Sequence, residues 1–154
     1  MGLWRRFVQM IREQLTQGAT PAGLARSCAF GVIIGCCPLF GLTTLMGIAV
    51  AVRLKLNHVT LQAVNYAMAA PQLILMPLFL RVGELLTLAD PMPLNPLVLF
   101  PEFYESPTAF FTKYWAAALY ALMGWALFAP IAAFVVYRLT KPIFIRLHAE
   151  IHKR

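Results

Sequence analysis

The chain has 154 residues, of which 60% are hydrophobic and only 12% are charged, and its formal net charge is +7. A soluble domain carries about a quarter charged residues, and a chain of this length cannot hide so much apolar surface inside a water-facing globule. The composition therefore excludes an ordinary soluble domain and predicts a single all-α integral membrane domain.

Three runs without a charged residue cover residues 27–52, 56–80 and 114–137. Each run is longer than the ~18 to 20 apolar residues that cross the hydrocarbon core of a bilayer. The basic residues stand at the ends of these runs, so membrane lipids with anionic headgroups are the expected partners. No nucleic-acid recognition motif is present, and nucleic acid is not an expected partner.

The first segment, residues 1–19, is predicted to be an amphipathic helix at the membrane interface. Arginines cover much of its polar surface, as in helices that lie among lipid headgroups. The alternative is an ordinary helix packed on the rest of the chain. The apolar residues recur at helical spacing and share one face: Leu3, Trp4, Phe7, Val8, Ile11 and Leu15.

The first apolar run, residues 27–52, is predicted to be a re-entrant helical hairpin. Pro38 interrupts it because proline disfavours helical geometry in its predecessor and lacks an N–H, and Gly41 adds backbone freedom. Each piece is roughly 16 to 18 Å long, about half of the ~30 Å hydrocarbon core. The hairpin tip is expected at residues 38–41.

A second segment is predicted to be broken at Pro71 and again at Pro77. The high density of proline after it argues against a continuous helix there, and aromatic residues mark the start of a final transmembrane helix. The predicted division is an amphipathic helix at 1–19, one membrane domain at 20–141 and a basic cytoplasmic tail at 142–154, with the hairpin at 27–52, the broken segment at 56–88, a proline-rich loop at 89–106 and the transmembrane helix at 107–141.

The distribution of basic residues predicts the orientation in the membrane. Four precede residue 27 and five follow residue 137, so the positive-inside rule places both termini in the cytoplasm. The number of crossings is then even, and the hairpin does not cross. The alternative is three crossings with one basic end outside. Unpaired backbone at a hairpin tip needs protein cover, which favours a homo-oligomer or contact between the two broken segments.

The stretch FGVIIGCCPLFGLTTL at residues 30–45, followed by RLKLN, resembles the bacterial membrane family called domain of unknown function 2062. The resemblance covers residues 22–146. It implies a multi-pass bacterial inner-membrane protein without a settled activity. Many members carry an Asn-Pro pair in the second segment, whereas Asn65 is the asparagine nearest to Pro71 here. The spacing G-x-x-x-G-x-x-P-x-x-G is formed by Gly31, Gly35, Pro38 and Gly41.

No constellation of residues predicts catalysis, a metal or a cofactor. Three cysteines, Cys28, Cys36 and Cys37, share the first run without metal-ligand spacing or a histidine, and are interpreted as core residues. His148 and His152 are four residues apart but lack a third ligand, so a solvated basic face is preferred to a metal pair. The expectation is a protein that is not an enzyme.

Polar residues inside the apolar runs are the candidates for function, because polar groups in hydrocarbon are costly. In the structural alternative they bond to neighbouring helices or to backbone freed by proline. Arg81 also stands three residues before Glu84, so the two can form an ion pair. The predicted substrate pathway comprises Thr43, Thr44, Gln62, Asn65 and Gln72, flanked by Arg53 and Arg81.

Two classes of function fit these observations. The first is a transport or lipid-translocation module, because paired proline-broken segments near mid-membrane indicate a transporter site. The second is a non-transporting scaffold or partner subunit that anchors a complex. A polar, water-accessible cavity around Thr43, Thr44 and Asn65 favours the first class, and a dry, packed interior favours the second.

Overall fold

The computed structural model describes residues 3–39, 41–92 and 95–151, and the regular structure within them is entirely helical. The all-α prediction is therefore confirmed. Two long helices are accompanied by five shorter ones, of which two form the predicted hairpin and one begins the following segment. The helices are α1 (Leu3–Thr16), α2 (Pro21–Gly35), α3 (Thr43–Arg53), α4 (His58–Ala67), α5 (Ala69–Thr87), α6 (Pro96–Glu105) and α7 (Pro107–Ile151).

The N-terminal helix α1 packs its apolar face on the protein. Ile11 and Leu15 are 1% and 2% exposed and lie in a core cluster with Leu24 of α2 and Phe144 of α7. Such contacts match the predicted alternative of a packed helix for this part of α1. The side chains at positions 3, 4 and 7 lie outside the described part of the chain. Helix α1 therefore packs against the C-terminal part of α7.

Helices α2 and α3 form a hairpin that returns to the end of the bundle where it began. Thr20 starts α2 by accepting a hydrogen bond from the N–H of Gly23 at 3.1 Å. The break falls at the predicted place, and Gly41 adopts a φ of 79° in the left-handed region that favours glycine. Beyond α3, the N–H of Asn57 donates to Ser27 Oγ at 2.8 Å. The start of α2 and the end of α3 therefore lie side by side.

The second segment breaks at Met68, between α4 and α5, and the predicted breaks at Pro71 and Pro77 are wrong. Pro71 is the third residue of α5, where its missing N–H would have had no partner within that helix. Pro77 lies inside α5 without ending it. Proline removes one hydrogen bond, and the packing of the rest of a 19-residue helix compensates for that loss.

The predicted loop at residues 89–106 contains a helix, and the predicted tail continues one. Asn95 caps α6 by accepting from the N–H of Leu97 at 3.0 Å, and Pro101 lies inside it. Helix α7 runs through Pro142 to Ile151. The expectation of a loop gave proline too much weight, because proline is favourable in a first turn and is tolerated elsewhere when the remaining helix is well supported.

Glycines bring the helix backbones into direct contact. An added Cβ at Gly83 of α5 would overlap the main-chain carbonyl of Tyr120, and one at Gly124 of α7 would overlap that of Phe79. Because residue numbers rise along α5 as they fall along α7 in these contacts, the two helices are antiparallel. Helix α2 packs on both α4 and α7, and Trp125 Nε1 donates to the carbonyl of Ile33 at 2.8 Å.

Helices α2 and α4 approach each other closely at the G-x-x-x-G motif. A Cβ on Gly31 would lie 2.7 Å from the carbonyl oxygen of Leu61, and a Cβ on Gly35 would lie 2.8 Å from that of Asn65. Real side chains do not approach backbone so closely, so only glycine fits both positions. Residue Asn65 is thereby held directly against the end of α2.

Among the described residues, α5 and α7 are long and apolar enough to cross a membrane by length and composition. Only 28% of the apolar stretch of α5 and 22% of that of α7 are buried inside the protein. The core helix of a soluble protein would be mostly buried instead. Helices α2 and α3 are apolar but shorter, with 15 and 11 residues.

Candidate functional site

Two buried amides on α4 form a hydrogen-bonded chain that ends on α3. Asn65 Nδ2 donates to Gln62 Oε1 at 3.0 Å, and Gln62 Nε2 donates to the main-chain carbonyl of Thr44 at 3.0 Å. The side chains are adjacent because residues three apart lie on one helix face. Gln62 is 8% exposed and Asn65 is 3% exposed. We call Thr44, Gln62 and Asn65 the amide chain.

The direction of the amide chain leaves one acceptor without a partner. A carbonyl can only accept, so Thr44 requires the NH₂ end of Gln62, and the oxygen of Gln62 then requires the NH₂ end of Asn65. Asn65 Oδ1 is buried and accepts no hydrogen bond from the residues that the structure describes. Leaving a buried polar atom unpaired costs about 1 to 3 kcal/mol, so this oxygen is a candidate contact for a bound molecule.

The hairpin turn is held by a third amide at the start of α5. Gln72, 6% exposed, donates Nε2–H to the main-chain carbonyl of Cys37, the residue before Pro38. This carbonyl lies beyond the end of α2, where helix geometry supplies no donor. The turn of the hairpin therefore contacts the start of α5, because Gln72 directly follows Pro71.

Polar side chains also join the helices at the end of the bundle where α2 begins. Asn57 donates from Nδ2 to Gln14 Oε1 of α1 at 2.6 Å and caps α4 by accepting from the N–H of Thr60 at 2.9 Å. Ser27 and Thr60 are fully buried, and Thr60 Oγ1 has no partner. Neither Ser27 nor Thr60 was predicted from the sequence, because single hydroxyl residues within a helix carry no distinctive pattern.

Arg81 and Glu84 form an ion pair that also hydrogen-bonds to the backbone of the segment after α5. Arg81 Nη1 lies 2.6 Å from Glu84 Oε2, and Arg81 Nη2 donates to the carbonyl of Met92 at 3.0 Å. The N–H of Met92 donates to Glu84 Oε1 at 2.9 Å. The predicted pairing of these residues is confirmed. Glu84, 3% exposed, was missed as a buried group because its only sequence signal was Arg81 three residues earlier.

The seven predicted pathway residues therefore separate into groups. The amide chain unites Thr44, Gln62 and Asn65, although Thr44 takes part through its main chain, and Gln72 holds the adjoining turn. Thr43 is half-buried, whereas Arg53 is exposed at the end of α3. The amide chain is tightly enclosed, because a Cβ on Gly47 would lie 2.8 Å from Gln62 Nε2.

The three cysteines are buried and unpaired thiols. Within the described ranges, no three His, Cys, Asp or Glu side chains are grouped as a metal site would require. His152, one half of the histidine pair weighed from the sequence, lies outside those ranges. The chemistry that the described side chains offer is therefore hydrogen bonding by neutral amides and hydroxyls, together with the ion pair of Arg81 and Glu84.

Comparison with known proteins gives one match. No curated protein and no solved structure matches the chain. A family described as an uncharacterized protein conserved in bacteria, DUF2062, matches residues 4–153. This match covers nearly the whole chain and confirms the resemblance seen in the hairpin motif. The chain therefore belongs to the bacterial DUF2062 family.

Proposed function

We propose that the protein is a transport-type module of the bacterial inner membrane, with its polar site at the amide chain. The observation that carries this proposal is Asn65 Oδ1, a buried acceptor without a protein partner. Polar groups in a membrane interior are costly and commonly functional. A bound molecule or a water that supplies a donor to this oxygen would account for its retention.

The surrounding helices support the same proposal. Helices α2, α3 and α4 have 15, 11 and 10 residues, so each is roughly 15 to 22 Å long, shorter than the ~30 Å hydrocarbon core. Transporters place binding sites where such interrupted helices meet. The amide chain lies at such a junction, with α3, α4 and the end of α2 in contact around it.

The chemistry of the site selects a class of substrate. Because Asn65 Oδ1 is an unpaired hydrogen-bond acceptor, the complementary ligand carries a hydroxyl, an amine or a bound cation. Each NH₂ group of the amide chain uses only one of its two N–H donors in these bonds, but the oxygen without a partner is the group that requires a ligand. We therefore propose a polar solute, or a lipid with a hydroxyl-bearing or amino headgroup, as the substrate class.

Water access at the amide chain tests the proposal directly. Single cysteines replace Thr44 and Asn65 in a chain whose native cysteines are changed to alanine. A charged, membrane-impermeant thiol reagent should modify both, because a transport pathway admits water. Cysteines at Leu45 and Ile48, which are 62% and 41% exposed on the outer face of α3, should stay unmodified among lipid tails. Unreactive cysteines at both 44 and 65 would contradict the transport proposal.

A contact within the structure, in addition to the distribution of charge, supports the proposed orientation of the chain in the membrane. Arg12 of α1 lies 3.8 Å from Glu150 of α7, so residues near the two termini occupy one end of the bundle. We propose that this end faces the cytoplasm and contacts anionic lipids, that the α2–α3 hairpin is re-entrant, and that α6 lies outside. Reporter fusions at residues 1 and 154 should give cytoplasmic signals, and a fusion near Pro96 a periplasmic one.

A second candidate, a non-transporting scaffold, is favoured by a different observation. Gln62 and Gln72 already bond to main-chain carbonyls of the hairpin, which is what purely structural amides would do. The scaffold proposal expects a dry interior and a stable complex, either a homo-oligomer or a partnership with another membrane protein. The thiol experiment separates the two candidates, because a scaffold leaves positions 44 and 65 unmodified.

A further inference from the structure

An apolar groove lies between the first part of α7, the middle of α5 and the segment that leads into α6. It has a volume of ≈ 380 Å³, within the range of about 300 to 1,000 Å³ that is typical of ligand sites. Among the described residues, no charged side chain lines the groove. The groove is separate from the amide chain, and its walls include Leu73, Pro77, Leu80, Met92, Phe110 and Ala118.

The side chain of Arg81, in its ion pair with Glu84, lies beside the groove. Met92 forms part of the wall, and its carbonyl accepts from Arg81 Nη2. A guanidinium has five N–H donors in a fork that suits phosphate, and the hydrogen bonds of Arg81 to Glu84 and Met92 use two of them. The Arg81 side chain is 40% exposed, so donors remain for a ligand next to the apolar wall.

Along α5 an apolar wall is followed by a charged residue, which is the order of groups in an amphiphilic molecule. From Leu73 through Pro77 to Leu80 the wall is wholly apolar, and the next residue is the arginine that reaches Met92. On the opposite side, aromatic rings of α7 approach one another, with Phe110 and Tyr114 centroids 4.7 Å apart. Aromatic residues favour the level where acyl chains meet headgroups. A lipid tail in this groove would place its headgroup near Arg81.

We propose that this groove binds a phospholipid with an anionic headgroup, its acyl chain between α5 and α7 and its phosphate on the guanidinium of Arg81. The bound lipid would bridge the two long helices and the α6 segment. Specificity would come from the charge of the headgroup, because Arg81 is the cation beside the groove, and affinity would come from the apolar wall.

Native mass spectrometry of the detergent-solubilised full chain tests the proposal. After delipidation, the protein is titrated with dioleoylphosphatidylglycerol or with dioleoylphosphatidylcholine. We expect the anionic lipid to be retained about fivefold more strongly, as charge-assisted hydrogen bonds would give. Ala118→Trp fills the groove and should reduce retention of both lipids by a similar factor. Ala126→Trp, the same change at an exposed position of α7, should leave retention unchanged.

The role of Arg81 requires a variant that does not strand a buried charge. The double change Arg81→Gln with Glu84→Gln removes both partners together, because a lone buried carboxylate would destabilise the fold. It should abolish the preference for the anionic lipid while retaining the zwitterionic one. Equal retention of the two lipids by the native chain would overturn the proposal. So would an Ala118→Trp variant that behaves like Ala126→Trp, or competition by glycerol 3-phosphate at the same concentration as the lipid.

Discussion

The short helices α2, α3 and α4 combine glycine contacts with hydrogen bonds from buried amides, whereas the long helices α5 and α7 meet through glycine contacts. Each short helix ends after 10 to 15 residues, and its ends are bonded by side chains such as Gln62 and Gln72. The long helices have 19 and 45 residues and meet through glycines, backbone against backbone. Every helix end leaves unpaired backbone groups, so a region built of short helices requires more polar side chains.

The glycine contact in the long-helix region should be the most sensitive position. Gly124→Val places branched atoms where the main chain of Phe79 already lies, so α5 and α7 must separate. We expect a loss of about 3 kcal/mol or more, which is at the high end for overpacking, and a large fall in the unfolding midpoint in detergent. Ala126→Val, at an exposed position of the same helix, should change the midpoint little. Similar midpoints for the two variants would contradict this contact.

In the short-helix region, removal of a single donor should have the next largest effect. Gln72→Leu leaves the carbonyl of Cys37 buried without a partner, because Gln72 Nε2 is its donor. The expected loss is about 1 to 3 kcal/mol, measured as a lower midpoint of denaturant unfolding. Gln17→Leu at an exposed position after α1 is the control. A Gln72→Leu variant as stable as this control would show that the turn does not depend on the amide.

The two amides of the amide chain should differ from each other. Gln62→Leu breaks both bonds of the amide chain, whereas Asn65→Leu breaks only the bond to Gln62 and also removes an acceptor that was already unpaired. We therefore expect Gln62→Leu to lower the free energy of unfolding by about 1 kcal/mol more than Asn65→Leu does. If the site is functional, Asn65→Leu should still abolish thiol modification of a cysteine at position 44. Equal losses of stability would contradict the assigned direction of the chain.

The smallest effect is expected at the exposed contact between α6 and α7. Hydrogen bonds from Lys113 Nζ, at 2.9 Å, and from the Tyr114 hydroxyl lower the pKa of Glu102. A lowered pKa means that the contact stabilises the fold above the ordinary glutamate pKa and is lost as the pH falls through the lowered value. Glu102→Gln should reduce the difference in unfolding midpoint between pH 7 and pH 3. Glu105→Gln, also on α6, should not.

The sequence predicted the hairpin break but misplaced those that rested on proline alone. At the hairpin, Pro38 is accompanied by Gly41, whose positive φ is incompatible with a continuous right-handed helix. The break at Met68 has no proline, and α5 continues through Pro77. Proline weakens a helix by a fixed local amount, whereas the packing that compensates depends on contacts between distant segments. Single-sequence reasoning cannot evaluate those contacts.

The candidate site was half predictable for a related reason. Gln62, Asn65 and Gln72 were visible because polar residues are rare in apolar runs. Their partners are main-chain carbonyls of Thr44 and Cys37, and any residue type could supply those. The fully buried Ser27 was not selected because its role depends on the return of the hairpin to Asn57. Sequence patterns thus show which side chains need partners, but not where the fold places those partners.

Helix α7 is more than twice as long as any other helix in the described part of the chain. Its 45 residues make a helix about 67 Å long, while a bilayer with its headgroups is about 40 to 45 Å thick. Roughly 20 Å or more of α7 must then project beyond the membrane if it spans. Because the helix is continuous, a tilt of about 5° at one end displaces the other by about 6 Å. If α7 spans the membrane, a partner bound to its projecting end would therefore also displace the part of α7 that lies within the bilayer.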